Sequence, residues 1–352
     1  VRLLTLLSKL EGSFGIDEVE GIGAAGGVDD TTGAFVRLVD RSLLAGTSTS
    51  PRRHAVLETV RQHAAANDAD AGSTADAHAA WCLEELGDSL PSHYYDLHRA
   101  EWVSGRFDDI IVAHDHLVAS ARSDEAVRLL SAMALAVHLD DGSRARRVLR
   151  RLDDHLSVDD PVIEARRHCT AVMAAMAARS PEGMREHGLA AVDAADATDD
   201  ASLRGLARVL RSWERVLLDP QQALDDVDDA ITLARSVGDP DTELFATGYK
   251  VFHLAMSLRF DQAVEAGFAT LERIPHDPAS HPRQVLATGL VSSLVLDDPR
   301  TAIRLDDAVR PNIPSTFWGT HIVRAAAHAS LGAFDDAATA VGELEKRLDR
   351  IG

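Results

Sequence analysis

The stretch DPQQALDDVDDAITLARSVGDP, residues 219–240, decides the fold. It runs from Asp219-Pro220 to Asp239-Pro240, and between them Ala223, Leu224, Val227, Ala230, Ile231 and Ala234 recur with the period of one helix face. Aspartate before proline marks a helix start. The carboxylate accepts a bond from an orphan amide of the first turn, and proline at the first helical position gives up no donor the helix needs. One amphipathic helix is therefore predicted after Pro220 and the next after Pro240.

The same punctuation recurs at Pro161, Pro181, Pro220, Pro240, Pro282 and Pro299, at intervals of 20, 39, 20, 42 and 17 residues. The residue before most of them is a capping type: Asp160, Ser180, Asp219, Asp239 and Asp298. Between starts, Leu203, Leu206, Ala207, Leu210, Trp213 and Leu217 keep the helical period. A second register lies at Ala145, Met184, Ala223, Ala263, Ala302 and Ala337, spaced by 39, 39, 40, 39 and 35 residues. A fixed period of this length is the mark of a solenoid of helix pairs, and a small residue at each crossing lets two helices approach closely. About six pairs are expected over residues 122–352. Gly332-Ala-Phe334-Asp-Asp-Ala337, and Arg259-Phe260-Asp-Gln-Ala263 with Pro275, resemble the tetratricopeptide repeat. The period is nearer 39 than 34, and the first helices lack that family's Trp, Leu and Gly positions, so the repeats resemble it as divergent members.

Composition bounds the rest. The chain has 352 residues, 45% hydrophobic and 26% charged, enough to bury a sizeable core. With 36 Lys+Arg against 56 Asp+Glu the net charge is −20, which argues against direct DNA binding, because phosphate affinity needs clustered positive charge. No apolar run approaches a membrane span, so no membrane partner and a cytoplasmic location are expected. Cys82 and Cys169, each inside an apolar helical pattern, suggest neither a disulfide framework nor a Cys metal site. Only Lys9, Lys250 and Lys346 are lysines in an alanine-rich chain, a bias that suggests a GC-rich bacterial genome. The chain begins with Val1, which suggests the cut end of a longer protein.

Residues 1–66 stand outside the repeat. Phe35, Val36, Leu38 and Val39 mark a helix, Leu43-Leu44 and His54-Ala-Val-Leu57 flank a polar turn, and a helical run follows over 57–64. Helices followed by a hairpin suggest a small winged-helix domain. The series Leu38-Val-Asp-Arg-Ser-Leu-Leu44 and then Arg53-His-Ala-Val-Leu-Glu-Thr-Val-Arg-Gln-His-Ala64 resembles the winged-helix region of the signal-transduction ATPases with numerous domains (STAND proteins). It is most similar to their actinobacterial branch, which accompanies LuxR-type, AfsR-type or cyclase modules. Trp102 to Leu139, including Asp124-Glu-Ala-Val-Arg-Leu-Leu130, resembles the bridging helices of that family. The resemblance implies a winged-helix domain at 1–66, bridging helices at 67–121 and tetratricopeptide-like repeats at 122–352. It also implies a P-loop ATPase core ahead of residue 1. The wider superfamily's Met-His-Asp motif corresponds to Val56, Leu57 and Glu58 here. Leucine cannot donate to a phosphate, while Glu58 suits an interdomain relay.

Chemistry is sparse. No Gly-x-x-x-x-Gly-Lys-Ser/Thr loop occurs, so ATP or ADP is expected only in an upstream domain and no cofactor in this chain. No Gly-x-Ser-x-Gly elbow occurs either, and no enzyme activity is expected. His114-Asp-His116 has i, i+2 spacing, which points its histidines apart on a helix and does not suit zinc. The pairs Asp140-Asp141, Asp153-Asp154, Asp159-Asp160, Asp199-Asp200 and Asp297-Asp298 are read as caps. Partner-binding candidates are the stripe Arg144, Arg147 and Arg151 with Arg150 beside it, the pair Phe317-Trp318, and His321 with His328 seven residues on. The expected fold is mainly α, a winged helix followed by an α-α superhelix. The expected function is the sensing and relay region of a STAND-type regulator, whose repeats bind a protein or small-molecule signal and whose winged helix couples to the ATPase core. A stand-alone adaptor with a DNA-binding winged helix is the alternative.

Overall fold

Proline starts and aspartate caps set the helix boundaries along the second half of the chain. The computed structural model describes residues 1–47, 52–87, 92–140, 142–154, 158–216, 218–274, 280–295, 297–309 and 319–351. The chain opens with α1 (Arg2–Leu7), α2 (Ile16–Ala25) and α3 (Thr31–Asp40), forms β1 (Leu44–Gly46) and β2 (His54–Val56), and continues through α4 (Glu58–Ala66), α5 (Ala71–Leu86), α6 (Ser92–Tyr95), α7 (Leu97–Gly105), α8 (Phe107–Ala119) and α9 (Ser123–Ser131). Then follow α10 (Ala134–His138), α11 (Ser143–Asp153), α12 (Pro161–Ala178), α13 (Pro181–Asp196), α14 (Ala201–Arg215), α15 (Pro220–Val237), α16 (Pro240–Met256), α17 (Phe260–Arg273), α18 (His281–Leu294), α19 (Pro299–Val309), α20 (Gly319–Ser330) and α21 (Phe334–Ile351). Two compact units result: Val1–Asp88 with Glu101–Ala132, and Ser89–Ala100 with Met133–Gly352.

In the first unit, Leu3, Leu6, Leu7 and Leu10 recur at helical spacing and bury around Phe14, Val19 and Ile22. The hairpin is antiparallel with Leu44 opposite Val56, both inward, and Phe14 adds a third short edge by bridging to His54. Close packing depends on Gly21, where a Cβ would stand 2.8 Å from Nε1 of the buried Trp81. Charge closes the centre. Arg106, 3% exposed, pairs with Glu18 and, at 3.2 Å, with Asp109, while Arg53 reaches Glu18 at 2.7 Å. Asp109 also accepts from the Glu11 backbone N–H at 2.5 Å, and Glu18 from that of Gly15. Burial tends to raise the Glu18 pKa, but hydrogen bonds from Arg53, Arg106 and Gly15 hold it below the usual carboxylate range.

In the second unit the capping chemistry is seen atom by atom. Asp160 accepts from Val162 N at 2.8 Å, Ser180 from Gly183 at 3.2 Å, Asp200 from Leu203 at 2.9 Å, Asp219 from Gln222 at 3.1 Å, Asp239 from Thr242 at 3.0 Å and Asp298 from Thr301 at 3.1 Å. Five antiparallel hairpins follow among the described residues: α12–α13, α14–α15, α16–α17, α18–α19 and α20–α21, with α10 and α11 ahead of them. The first helix of each pair also packs on the first helix of the next, forming an inner row α12, α14, α16, α18 and α20. The second helices form the outer row of the superhelix. Ala145, Ala223, Ala263 and Ala302 are fully buried, as the repeat register requires, whereas Met184 and Ala337 are half-buried. The inner row has small residues of its own: a Cβ on Gly248 would lie 2.9 Å from the Leu286 backbone N, so the backbones of α16 and α18 approach closely.

Buried acids tie neighbouring helices together. Asp226 takes Arg211 at 2.5 Å and Arg215 at 3.2 Å, Glu243 takes Arg235 at 2.5 Å and Arg273, and Asp306 takes Arg324 at 2.7 Å. The acidic surplus thus serves both caps and inter-helix pairs.

Candidate ligand face of the repeat array

The aromatic side chains are few, 5% of the chain, and they are gathered. All three tyrosines, Tyr94, Tyr95 and Tyr249, lie in one cluster on the inner row. Tyr94 and Tyr95 come from the single turn α6, which packs on α10 and α18. Ring centroids run from Tyr94 to Tyr95 at 6.5 Å, to Phe245 at 5.1 Å, and from Phe245 to Tyr249 at 4.7 Å and His281 at 5.8 Å. From there the cluster extends to His138, 6.0 Å from His281, and to Trp213, 5.1 Å from Tyr249.

The phenols of Tyr94 and Tyr95 are each anchored by a threonine of a different inner helix. The Tyr94 hydroxyl lies 3.2 Å from Thr170 Oγ1 of α12 and donates to the Arg166 carbonyl at 3.3 Å; the Tyr95 hydroxyl lies 3.1 Å from Thr242 Oγ1 of α16. Burial pushes the pKa of all three phenols well up, so they remain neutral hydrogen-bonding groups. His281 is 2% exposed, and among the described residues neither its Nε2 nor Nδ1 of His138 has a hydrogen-bond partner. Desolvation, with His138 nearby, holds the His281 pKa at about 3, so the ring is neutral. The cluster thus combines rings and hydroxyls with an imidazole nitrogen that no described residue pairs.

Other constellations are structural. Ser212 Oγ lies 2.8 Å from His253 Nε2, but the hydroxyl donates to the Val209 carbonyl at 2.6 Å, so the imidazole N–H donates to the oxygen. That polarity is the reverse of an activated nucleophile. His168 and His187 meet Nδ1 to Nδ1 at 3.0 Å, flanked by Glu164 at 3.1 Å and Asp153 at 2.8 Å. Asp153, read as a cap from sequence, is instead the last residue of α11 and takes the His187 ring. His114 and His116 face apart, toward Asp115 and Asp76. Among the described residues, no group of three or more His, Cys, Asp or Glu is placed to hold a metal. Both cysteines are buried, and burial pushes the Cys169 thiol up to about 12.

The candidates read from sequence lie elsewhere. In α11 the buried positions are Ala145, Val148 and Leu152, so Arg144, Arg147 and Arg151 flank them half-buried rather than forming a free stripe. Arg144 faces Asp140 at 3.6 Å. The exposed arginines are Arg146 and Arg150, which border a cleft of about 570 Å³ with Asp153 and Ser180. His321 is 2% exposed and lies 3.3 Å from Glu343, and His328 lies 3.9 Å from Asp336, so both face α21 rather than an open groove. Phe317 and Trp318 lie outside the described residues. Glu58 is exposed and engaged within its own helix, with Gln62 at 2.8 Å and Arg61 at 3.6 Å. The aromatic cluster escaped sequence reading, although α16 carried a signal: its apolar positions go all round the helix, which marks cover on both faces.

No family model matches the chain, and no curated protein matches it in sequence. Among solved structures it is similar to a Rap protein complexed with competence and sporulation factor, at 13% identity and a TM-score of 0.49, over 84% of this chain and 85% of that one. It is also similar to a STAND protein with a tetratricopeptide repeat sensor from Pyrococcus horikoshii, at 13% identity and a TM-score of 0.42, over 99% of this chain and 64% of that one. No described helix is long and apolar enough to cross a membrane.

Proposed function

We propose that this chain is the sensing and relay region of a STAND-type signalling or transcriptional regulator. The repeats take up a protein or small-molecule signal on their inner row, and the N-terminal unit couples that event to an ATPase core encoded ahead of Val1. Nucleotide and any catalytic step belong to that core, the output module is separate, and the whole is cytoplasmic. The observation that carries the reading is the inner-row cluster, where hydroxyls, rings and an unpaired His281 nitrogen converge. A site of this kind, mostly apolar with a few placed polar groups, is what a ligand face requires.

The first unit supports the relay half. Helix, bridging Phe14, two helices and a hairpin, followed by α4, follow the element order of a winged helix. It is poorly equipped for DNA. Residues 1–66 hold seven basic against eight acidic side chains. Arg53 is held by Ser13 and Glu18, Arg61 by the Ser8 and Leu10 carbonyls, and Arg37 faces Asp30 at 3.3 Å. This winged helix serves as an internal interaction element, which supports the regulator over the DNA-binding adaptor.

The reading frame ahead of the Val1 codon tests the proposal: a phosphate loop within several hundred codons supports it, and a start codon at Val1 defeats it. In the full-length protein, Phe245→Ala is expected to change ATP turnover by at least about fivefold, the low end of common allosteric couplings. Unchanged turnover in a folded variant removes the inner row from the signalling path.

A further inference from the structure

We propose that Tyr94 and Tyr95 are a built-in ligand mimic: the inner-row site takes a short peptide with two adjacent aromatic side chains, and the chain's own pair occupies it until that peptide arrives. The inference rests on the reading of the inner row as the sensing face and names the chemistry of what is sensed.

Three observations converge. A four-residue turn such as α6 has no stability of its own, yet its two tyrosines are 0% and 4% exposed, so the surrounding face supplies the binding. The two residues bridge separate inner helices, Tyr94 through Thr170 of α12 and Tyr95 through Thr242 and Phe245 of α16. Two adjacent side chains are thus each held by a different inner helix. Phenylalanine would fill the same space without the bonds to Thr170 and Thr242, so the paired hydroxyls favour phenols at both positions. Lastly, His281, nine-tenths buried and more, keeps an unpaired Nε2 beside Phe245, so the occupant leaves one polar group of the site unsatisfied. A peptide that also offers a partner for this nitrogen binds better than the resident pair.

The resident pair is tethered and competes at an effective concentration in roughly the millimolar range. Apparent affinity for an added peptide falls by the fraction of sites left open. When the peptide takes the site, it frees a segment that continues directly through α7 into residues of the first unit.

The test uses the whole chain and a fluorescein-labelled peptide of residues 92–99, read by fluorescence polarisation. Tyr94→Ala/Tyr95→Ala, checked for folding by circular dichroism, is expected to bind at least tenfold more tightly than wild type. A peptide with both tyrosines replaced by alanine is expected not to bind. Equal affinity for both chains, or no binding to the folded double variant, overturns the proposal. Should the double variant fail to fold, Tyr95→Phe keeps the ring and loses one hydroxyl bond; a severalfold gain over wild type supports the mimic, and no gain overturns it. A failure here leaves the regulator reading intact, since that is judged by the reading frame and by ATP turnover.

Discussion

The centre of the N-terminal unit and the inner row of the repeats are both polar and both buried, yet they are built on opposite chemistry. In the first, Arg106, Glu18, Arg53 and Asp109 are charged and mutually satisfied. In the second, neutral imidazoles and phenols lie among rings, and one nitrogen of His281 and one of His138 are left without partners. A closed charge network fails when its central member Arg106 is removed, because the buried Asp109 loses its cation. A neutral cluster loses less when one member is removed, because no buried ion is left behind. The difference separates a region closed by mutual charge from one that keeps neutral, unpaired nitrogens among rings.

Acid is the strongest way to break that comparison, because the two regions respond over different pH windows. In the inner row, burial holds the pKa of His138 and His253 at about 4 and, with His138 nearby, that of His281 at about 3, against 6.5 when unfolded, while in the first unit it holds His78 at about 4. The unfolded chain binds the extra protons, so the stability these rings contribute is fully present above about pH 6.5 and falls as pH drops toward 4. Each unit of displacement corresponds to about 1.4 kcal/mol, which makes this the largest effect expected. Glu18 is depressed below 4.5, so its contribution persists until pH falls through its folded value; Asp109, raised by burial, works in the opposite sense and narrows that step. Hydrogen exchange at pH 7, 5.5 and 4 is expected to show α16 and α18 opening before α2. Simultaneous opening would show the two regions to be one cooperative body.

Next in size is Arg106→Ala, which strands Asp109 and leaves Glu18 with Arg53 alone, and is expected to cost about 3–5 kcal/mol by urea denaturation. A loss under 1 kcal/mol would mean that water already reaches the network. Gly248→Ala pushes a methyl against the Leu286 backbone and is expected to cost about 1–3 kcal/mol by overpacking. A neutral result there would show that α16 and α18 can part, loosening the face that Phe245 and His281 share. The smallest change is Asp219→Ala, which removes the cap on Gln222 N and is expected to cost about 1 kcal/mol. It touches neither region's centre, and a larger loss would mean that the hairpin turns carry more of the array's stability than their local bonds explain.

How far sequence reaches follows the range of the interactions. Helix starts at Pro161, Pro181, Pro220, Pro240 and Pro299 are written in adjacent residues, and each appears where the local chemistry puts it. The hairpin at β1 and β2 was equally readable, since alternation and a polar turn are short-range signals. The inner cluster was not, because Tyr94, His138, Thr242 and His281 meet only after the stack has formed. The surroundings of the α11 arginines are hidden in the sequence for a related reason. Arg144, Arg147 and Arg151 share a face, but only the buried Ala145, Val148 and Leu152 reveal that this face borders the core.

The hairpin period carries an implication for descent. Since each hairpin packs chiefly on its neighbours, whole hairpins can be gained or lost at the far end, beyond α19, with little effect on the rest. The pair α16 and α18 has no such freedom, because residues 94 and 95 are matched to one address along the row. Related chains are therefore expected to differ in the number of their terminal hairpins while keeping a fixed distance, in residues, between the tyrosine pair and Phe245.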